Sequence, residues 1–364
     1  MNHPSPETIE AFPARYYQEM EDGRLECKLC PRFCHMKSGQ RGFCYVRQNI
    51  DGQMKLTTYG RSSGFCADPI EKKPLNHFYP GSAILSFGTA GCNLGCKFCQ
   101  NWDISKSRSD DRLAGRAMPE QIAQAALRAG CQSVAFTYND PVIFAEYAID
   151  TAIACKELGV KTVAVTAGYI TAEARPDFFQ HLDAANVDLK GFTERFYKKL
   201  CYGELAPVLE TLKYLHHETH VWVEITNLLI PGENDSDQEL HEMTEWIARE
   251  LGPQVPIHFT AFHPDFKMTD KTRTPGTTLN RARDIALSKG LEYVYVGNVH
   301  DSQSSSTWCP SCKKILIERD WFNLGAYKIT PQGCCSFCGH EIAGRWGSGK
   351  GTWQGGRCLV PIQP

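Results

Sequence analysis

Cys92, Cys96 and Cys99 stand at CxxxCxxC spacing within the run Gly91 to Cys99. Three thiolates so spaced suit a cubane iron–sulfur cluster with one iron left free of protein. A fourth cysteine would close the site, whereas an open iron can take a small molecule and turn an electron carrier into a place for chemistry. An enzyme is therefore the expectation. Zinc completed by a residue such as His77, or a plain electron-transfer cluster, is the competing use of the same thiols.

Two further cysteine groups read differently. Cys309, Cys312, Cys335 and Cys338 form two CxxC knuckles, and tetrahedral Zn²⁺ wants four thiolates at about 2.3 Å in a closed shell. A rubredoxin-like iron or another cluster is the alternative, and Cys334 in place of Cys335 would lose the two-residue gap. Cys27, Cys30, Cys34 and Cys44 are less regular, and Pro31, Arg32, Gly39 and Gly42 put them in a tight loop. Zinc and an auxiliary [4Fe-4S] cluster both fit there, with simple reduced thiols a third reading. Cys66, Cys131, Cys155, Cys201 and Cys358 are scattered, and most of them read as buried bystanders, with Cys66 either part of the amino-terminal group or of none. Seventeen cysteines in a 364-residue chain with a polar amino terminus and α/β patterning argue for metal ligation rather than a disulfide scaffold.

The elements that must position the first group lie between residues 83 and 297, where β-rich apolar runs alternate with helical periodicity. Strands are predicted at 83–88, 132–138, 160–166, 186–189, 220–229, 256–261 and 292–296. Helices are predicted at 118–129, 141–158, 237–250 and 277–289, with Pro119 in a first turn, Gly130 as a stop and Ser236 as a cap. Six or seven parallel strands make a partial (β/α)6-type TIM barrel. Ligands gather at the carboxyl ends of such strands. The cysteine loop leaves the first strand at that end, as do Asn139 and Asp140, Ala167 and Gly168, Lys190, Ile230 to Asn234, and Phe262 and His263. Asp188 and Lys190, two apart on a strand, face one side as a charge pair. A Cys-rich segment, 1–80, precedes the 81–303 barrel, and a zinc-ribbon-like segment, 304–364, follows a short linker at Gln303 to Thr307.

The chain resembles the radical S-adenosylmethionine enzymes, in particular the AmmeMemoRadiSam branch, a relative of pyruvate formate-lyase activating enzyme. The residues that carry this are Asp68 to Pro74, His77 to Gly81, Cys92 to Trp102 with Ser105, Thr137 to Pro141, Asp188 to Lys190 and Ile230 to Gly232. The resemblance implies a [4Fe-4S] cluster on Cys92, Cys96 and Cys99 whose free iron is chelated by the amino and carboxylate groups of S-adenosylmethionine. It further implies reductive cleavage to a 5′-deoxyadenosyl radical that abstracts hydrogen from a protein or modified substrate. The same match brings Asn139, Asp140, Thr166, Asp188, Lys190 and His263 to the cofactor, Asn227 and Asn234 more weakly. Asp140 stands where the family more usually has Glu, and Thr166, Ala167 and Gly168 replace the usual Thr-Asn-Gly. Asn139, Asp140 and Pro141 equally read as a helix cap followed by an N1 proline. An external electron donor of flavodoxin or ferredoxin type is implied, and AMMECR-type and Memo-type proteins are suggested partners.

Composition narrows the rest. A formal charge of −2 without a long basic block predicts no non-specific nucleic-acid binding. The sequence holds no apolar run of about 18 residues, and no membrane association is expected. A cytoplasmic location follows. Radical methyl transfer, with thin support from Cys201 or Cys358, and a cluster-based redox or binding module are the competing functions.

Overall fold

The computed structural model describes residues 11–108, 113, 115–353 and 355–362. Its centre is a nine-stranded sheet. In chain order the strands are β1 (Cys66–Pro69), β2 (Ala83–Phe87), β3 (Ser133–Phe136), β4 (Lys161–Thr166), β5 (Ala184–Asp188), β6 (Trp222–Leu229), β7 (Ile257–Ala261), β8 (Val294–Gly297) and β9 (Cys358–Leu359). Neighbours run β8-β7-β6-β5-β4-β3-β2-β1-β9. From β2 to β8 every pairing is parallel, while β1 and β9 continue the sheet antiparallel from the β2 edge. The barrel is therefore open, and all seven strands expected from the alternation take part in it.

Helices α1 (Pro119–Arg128), α2 (Ala145–Glu157), α3 (Ala206–Glu218), α4 (Asp237–Glu250) and α5 (Gly276–Ser288) make the crossovers, with the short Arg175–Phe179 helix between β4 and β5. Their starts follow from local chemistry. The Gln121 side chain accepts the Met118 N–H at 2.7 Å ahead of Pro119, and Ser236 Oγ accepts the Glu239 N–H at 3.3 Å. The helix expected from 141 instead opens with a 3₁₀ turn, Pro141–Phe144, capped by Asp140, and becomes α-helical at Ala145. Helix α3 supplies a crossover that the predicted elements lack. Its buried Val208, Thr211, Leu212 and Leu215 repeat at helical spacing.

The sheet's two faces do different work because side chains alternate. Leu85, Phe87, Val134, Phe136, Ala164 and Val187 join the large core beneath the helices. Ile84, Ala135, Val163 and Ala184 face inward and pack on Ile70, Leu75 and Phe78, so the segment between β1 and β2 plugs the barrel. Glu224 fastens the plug: its carboxylate accepts the N–H groups of Asn76 and His77 at 2.9 and 2.8 Å and faces His258 Nε2 at 2.7 Å. His77 is thereby spent inside the barrel, with Tyr295 Oη and the Ala343 carbonyl on its ring nitrogens, and is no partner for Cys92, Cys96 and Cys99.

Around the barrel, small antiparallel sheets carry the other cysteines. Leu25–Cys27 and His35–Met36 pair on the amino-terminal side, and Thr307–Trp308, Ile315–Asp320 and Asn323–Tyr327 pair on the carboxyl-terminal side. The amino-terminal part is tied to α2 by a two-bond pair, Arg47 to Glu146 at 2.6 and 2.9 Å, with both side chains 1% exposed. No helix among the described residues is long and apolar enough to cross a membrane.

Candidate functional site

The loop after β2 is held from three sides. Asn139, just past β3, accepts the Thr89 N–H at 3.1 Å through Oδ1 and donates to the Gly91 carbonyl at 2.8 Å through Nδ2. Gly88 lets the strands come this close, since a Cβ there would sit 2.6 Å from Asn139 Oδ1. On the next side, the Gly95 and Lys97 N–H groups donate to the carbonyls of Cys201 and Leu200 at 2.8 and 2.9 Å. On the third, Gly91 adopts φ +80° against the Cys44 carbonyl oxygen, where any Cβ would collide. Lys106 reaches back to the Leu94 carbonyl at 2.7 Å, laying its charge across the loop.

A cavity of about 310 Å³ opens beside this loop at the carboxyl ends of the parallel strands. Cys92, Cys96 and Cys99 form one wall, with Asn139 and Asp140 beside them and Asp188 and Lys190 also in the lining. Asp188 Oδ2, at the end of β5, and Lys190 Nζ, two residues on and past the strand, pair at 2.9 Å. Asp140 caps the Val142 N–H at 3.0 Å and also takes the Thr166 hydroxyl and the Ala167 N–H, each at 2.9 Å. The cap reading of the Asn-Asp-Pro segment holds, and Asn139 and Asp140 also line the cavity.

Thr166 braces that wall through Asp140 and accepts the Gly168 N–H at 3.0 Å. Asn234 and Asn227 act as local clamps, donating to the Lys190 and Leu189 carbonyls at 2.9 and 2.6 Å. His263 is exposed, its ring nitrogen 3.4 Å from the Pro264 carbonyl, and it stands outside the lining residues.

Other lining residues are not among the site candidates, although Lys72 and Pro74 fall in the Asp68 to Pro74 run that carries the resemblance. Thr226, Thr260 and Asn298 project from β6, β7 and the end of β8, and Lys72 and Pro74 rise from the plug. The rule that sites gather at carboxyl ends reaches Asn298, which directly follows Gly297. Nothing in the spacing points to Lys72, Pro74 or Lys106.

Electrostatics divide the three thiols. Burial pushes the Cys92 thiol up to about 12, and Cys99 also upward. Cys96 is drawn down to about 6 by a hydrogen bond from Cys201 that outweighs burial, with Lys190 and Lys106 assisting. Burial works against the Lys190 ammonium, but Asp188 and the nearby thiols prevail and hold it well above its ordinary value. Lys190 and Lys106 thus set positive charge beside Cys96.

The carboxyl-terminal cysteine group is compact. Sγ atoms of Cys309 and Cys338, and of Cys312 and Cys335, lie 3.7 Å apart. All four Sγ atoms fall within 4.8 Å of one another, the only such group among the described residues. A tetrahedron with metal–sulfur bonds of about 2.3 Å has edges of about 3.8 Å. Cys335 belongs to this set and Cys334 does not, its Sγ facing the Gln332 carbonyl. Cys92, Cys96 and Cys99 come together instead as one wall of the cavity beside the loop.

The Radical SAM superfamily profile matches residues 87–244. An uncharacterized protein of Methanocaldococcus jannaschii is 41% identical over 330 residues, 90% of this chain and 98% of the relative. Pyruvate formate-lyase 1-activating enzyme of Escherichia coli is 23% identical over 188 residues, 50% of this chain and 75% of the enzyme. Among solved structures, a radical SAM methyltransferase from Sphaerobacter thermophilus superposes with TM-score 0.48 at 15% identity, over 79% of this chain and 77% of that one. The chain belongs to the radical SAM superfamily, is homologous to pyruvate formate-lyase activating enzymes, and is an enzyme of the kind that cleaves S-adenosylmethionine at a [4Fe-4S] cluster.

Proposed function

We propose that this protein, as a member of the AmmeMemoRadiSam branch, removes a hydrogen atom from a protein or modified substrate in the manner of the glycyl-radical activases. The observation that carries the reading is the shared cavity, in which Cys92, Cys96 and Cys99 line the same space as the Asp188–Lys190 pair. When bound, the cluster and S-adenosylmethionine supply a one-electron cleavage of the sulfonium C–S bond and a 5′-deoxyadenosyl radical.

The chain's own residues do the rest. Cys92, Cys96 and Cys99 hold the cluster, and Asn139 holds the loop that presents them. Asp188 and Lys190 offer opposite charges to the amino-acid zwitterion of the cofactor, while Asp140 and Thr166 set the backbone of Ala167 and Gly168 along the wall. Thr226, Thr260 and Asn298 offer polar contacts deeper in the mouth. The plug of Ile70, Leu75 and Phe78 closes the barrel from below and keeps bulk water from a radical that would react with anything within reach.

Cys309, Cys312, Cys335 and Cys338 hold a structural Zn²⁺, for which their 3.7 Å spacing is the support. A flavodoxin- or ferredoxin-type donor brings the electron, AMMECR-type and Memo-type proteins are the partner class, and the cytoplasm keeps the thiols reduced. The test is anaerobic reconstitution with S-adenosylmethionine and dithionite. Release of 5′-deoxyadenosine, lost in Cys96→Ala, is expected. An intact cluster that yields none overturns the proposal, and S-adenosylhomocysteine in its place would mean methyl transfer.

A further inference from the structure

We propose that a collar of cations and aromatic rings around the outside of the cysteine loop is the docking surface for a flavodoxin-type electron donor. The proposal rests on the reading that S-adenosylmethionine is cleaved with a donated electron, and it adds where the donor sits.

The collar is continuous along the loop and its flanks. Arg32 donates to the carbonyls of Asn93 and Tyr202, and its guanidinium lies 3.5 Å from the centre of the Phe43 ring. Tyr202 packs on Gly95, where a Cβ would stand 2.9 Å from it, and the Lys97 ammonium lies 5.8 Å from the Tyr202 ring. The Lys267 N–H donates to the Lys97 carbonyl at 3.0 Å, and its ammonium lies 5.3 Å from Phe266, which stacks on Trp102 at 5.6 Å. Arg108 closes the other end, donating to the Phe43 carbonyl at 2.9 Å. Lys97 falls between Cys96 and Cys99, and Trp102 follows shortly after, so the collar surrounds the segment that carries the thiols.

Exposure and charge say what fits. Phe43, Trp102 and Tyr202 are 37, 43 and 50% exposed, and three large rings around one loop make a patch rather than scattered surface residues. Arg32, Lys97 and Lys267 form no ion pair among the described residues, so each faces an aromatic ring instead of a carboxylate. Asp265 also touches the collar, but its carboxylate is taken up by the Trp102 indole N–H at 3.1 Å and the Phe266 N–H at 2.7 Å. The chain as a whole carries a formal charge of −2, so the positive character here is local.

A cationic surface with exposed aromatic rings complements a small acidic protein, and electron-transfer encounters need only a small interface. The rings favour a carrier that presents a planar, apolar cofactor edge, as a flavin does and a cluster lying behind a polypeptide loop does not. Cys92 and Cys99 are only partly buried, which leaves the thiol segment open to such a partner. Arg32, Phe43, Phe266 and Lys267 lie outside residues 87–244, the part matched by the superfamily profile, so much of the collar is this chain's addition to the common core.

The experiment compares the full chain, reconstituted anaerobically, with Lys267→Glu/Arg108→Glu, whose side chains lie outside the cavity lining. Binding of oxidised flavodoxin is measured by calorimetry at low and high salt, and 5′-deoxyadenosine release is followed with flavodoxin hydroquinone or with dithionite. At low salt the variant is expected to bind flavodoxin about tenfold more weakly and to lose about tenfold in donor-driven release, with dithionite-driven release unchanged. High salt should bring wild type down toward the variant, and Lys267→Gln/Arg108→Gln should fall between the two. Equal binding by wild type and variant overturns the proposal, as does a matching loss with dithionite, which would place the defect in the site or the fold. Tighter binding of a ferredoxin or of a short single-stranded RNA than of flavodoxin also overturns it. Failure of the catalytic reading is a separate result, in which flavodoxin binds but neither reductant yields 5′-deoxyadenosine.

Discussion

Asn139 can be tested as a bracket rather than a cofactor ligand. Its carboxamide is 5% exposed residue surface and spans the loop, accepting from Thr89 N–H at 3.1 Å and donating to the Gly91 carbonyl at 2.8 Å. Asn139→Ala strands one buried donor and one buried acceptor. Each unpaired group costs about 1–3 kcal/mol, and water entering the vacated space recovers part, so the loss should be about 2–4 kcal/mol. That strain falls on the segment leading to Cys92, so the cluster should also be retained less well. The assay compares anaerobic urea unfolding and iron kept per chain through gel filtration for wild type, Asn139→Ala and Asn139→Asp. Asn139→Asp keeps the acceptor for Thr89 but turns a carboxylate oxygen toward the Gly91 carbonyl, so it should recover little. If both variants unfold within about 0.5 kcal/mol of wild type, hold full iron and lose only affinity for S-adenosylmethionine, the bracket argument fails and Asn139 contacts the cofactor directly.

Gly91→Ala should cost about 2–5 kcal/mol, from a left-handed conformation and a collision with the Cys44 carbonyl, and should abolish 5′-deoxyadenosine release. Gly39→Ala is the control, because Gly39 shares φ +80° but has nothing within 4 Å, so only the conformational cost of about 1–2 kcal/mol applies. Equal effects of the two on unfolding and iron content would refute the contact between the loops. Glu71 gives a pH test. Burial raises its pKa from 4.5 to about 7, against the pull of Arg319 and the Gly81 N–H, and its Oε2 has no partner. The folded value lies above the unfolded one, so its contribution is full below pH 4.5 and lost as pH rises through about 7. Relative to Glu71→Gln, wild type should lose about 3 kcal/mol across that window in denaturant titrations. Parallel pH profiles would contradict it.

The barrel was legible because its signals are local. Apolar β-rich runs and helical periodicity placed seven parallel strands, and α4 at Asp237–Glu250 matches the predicted helix residue for residue. Asp188 and Lys190 do form the expected charge pair, though the strand stops at Asp188 and a tight turn rather than strand period brings Lys190 to it, and the cavity followed from the rule about carboxyl ends. Less was legible where partners are far apart in the chain. Lys72 and Pro74 reach the cavity only because the segment before β2 folds into the barrel, held by Glu224 some 148 positions from Asn76. His263 has the right place in the order of elements, yet its side chain turns to solvent.

The division shows best in the cysteines. Spacing alone determined which thiols belong together, since a CxxxCxxC or CxxC interval constrains neighbours within a few residues of one another. Whether distant thiols meet was decided by the tertiary structure. Two CxxC knuckles become one four-thiol group, with two Sγ pairs at 3.7 Å, only when Cys309 and Cys312 meet Cys335 and Cys338 across a chain separation of more than twenty residues. The nine-residue gap from Cys34 to Cys44 says nothing about size until the loop closes over a cavity beside Asn93. Ligand identity is written in sequence, but the distance between ligands, which selects an ion or a cluster, is a property of packing.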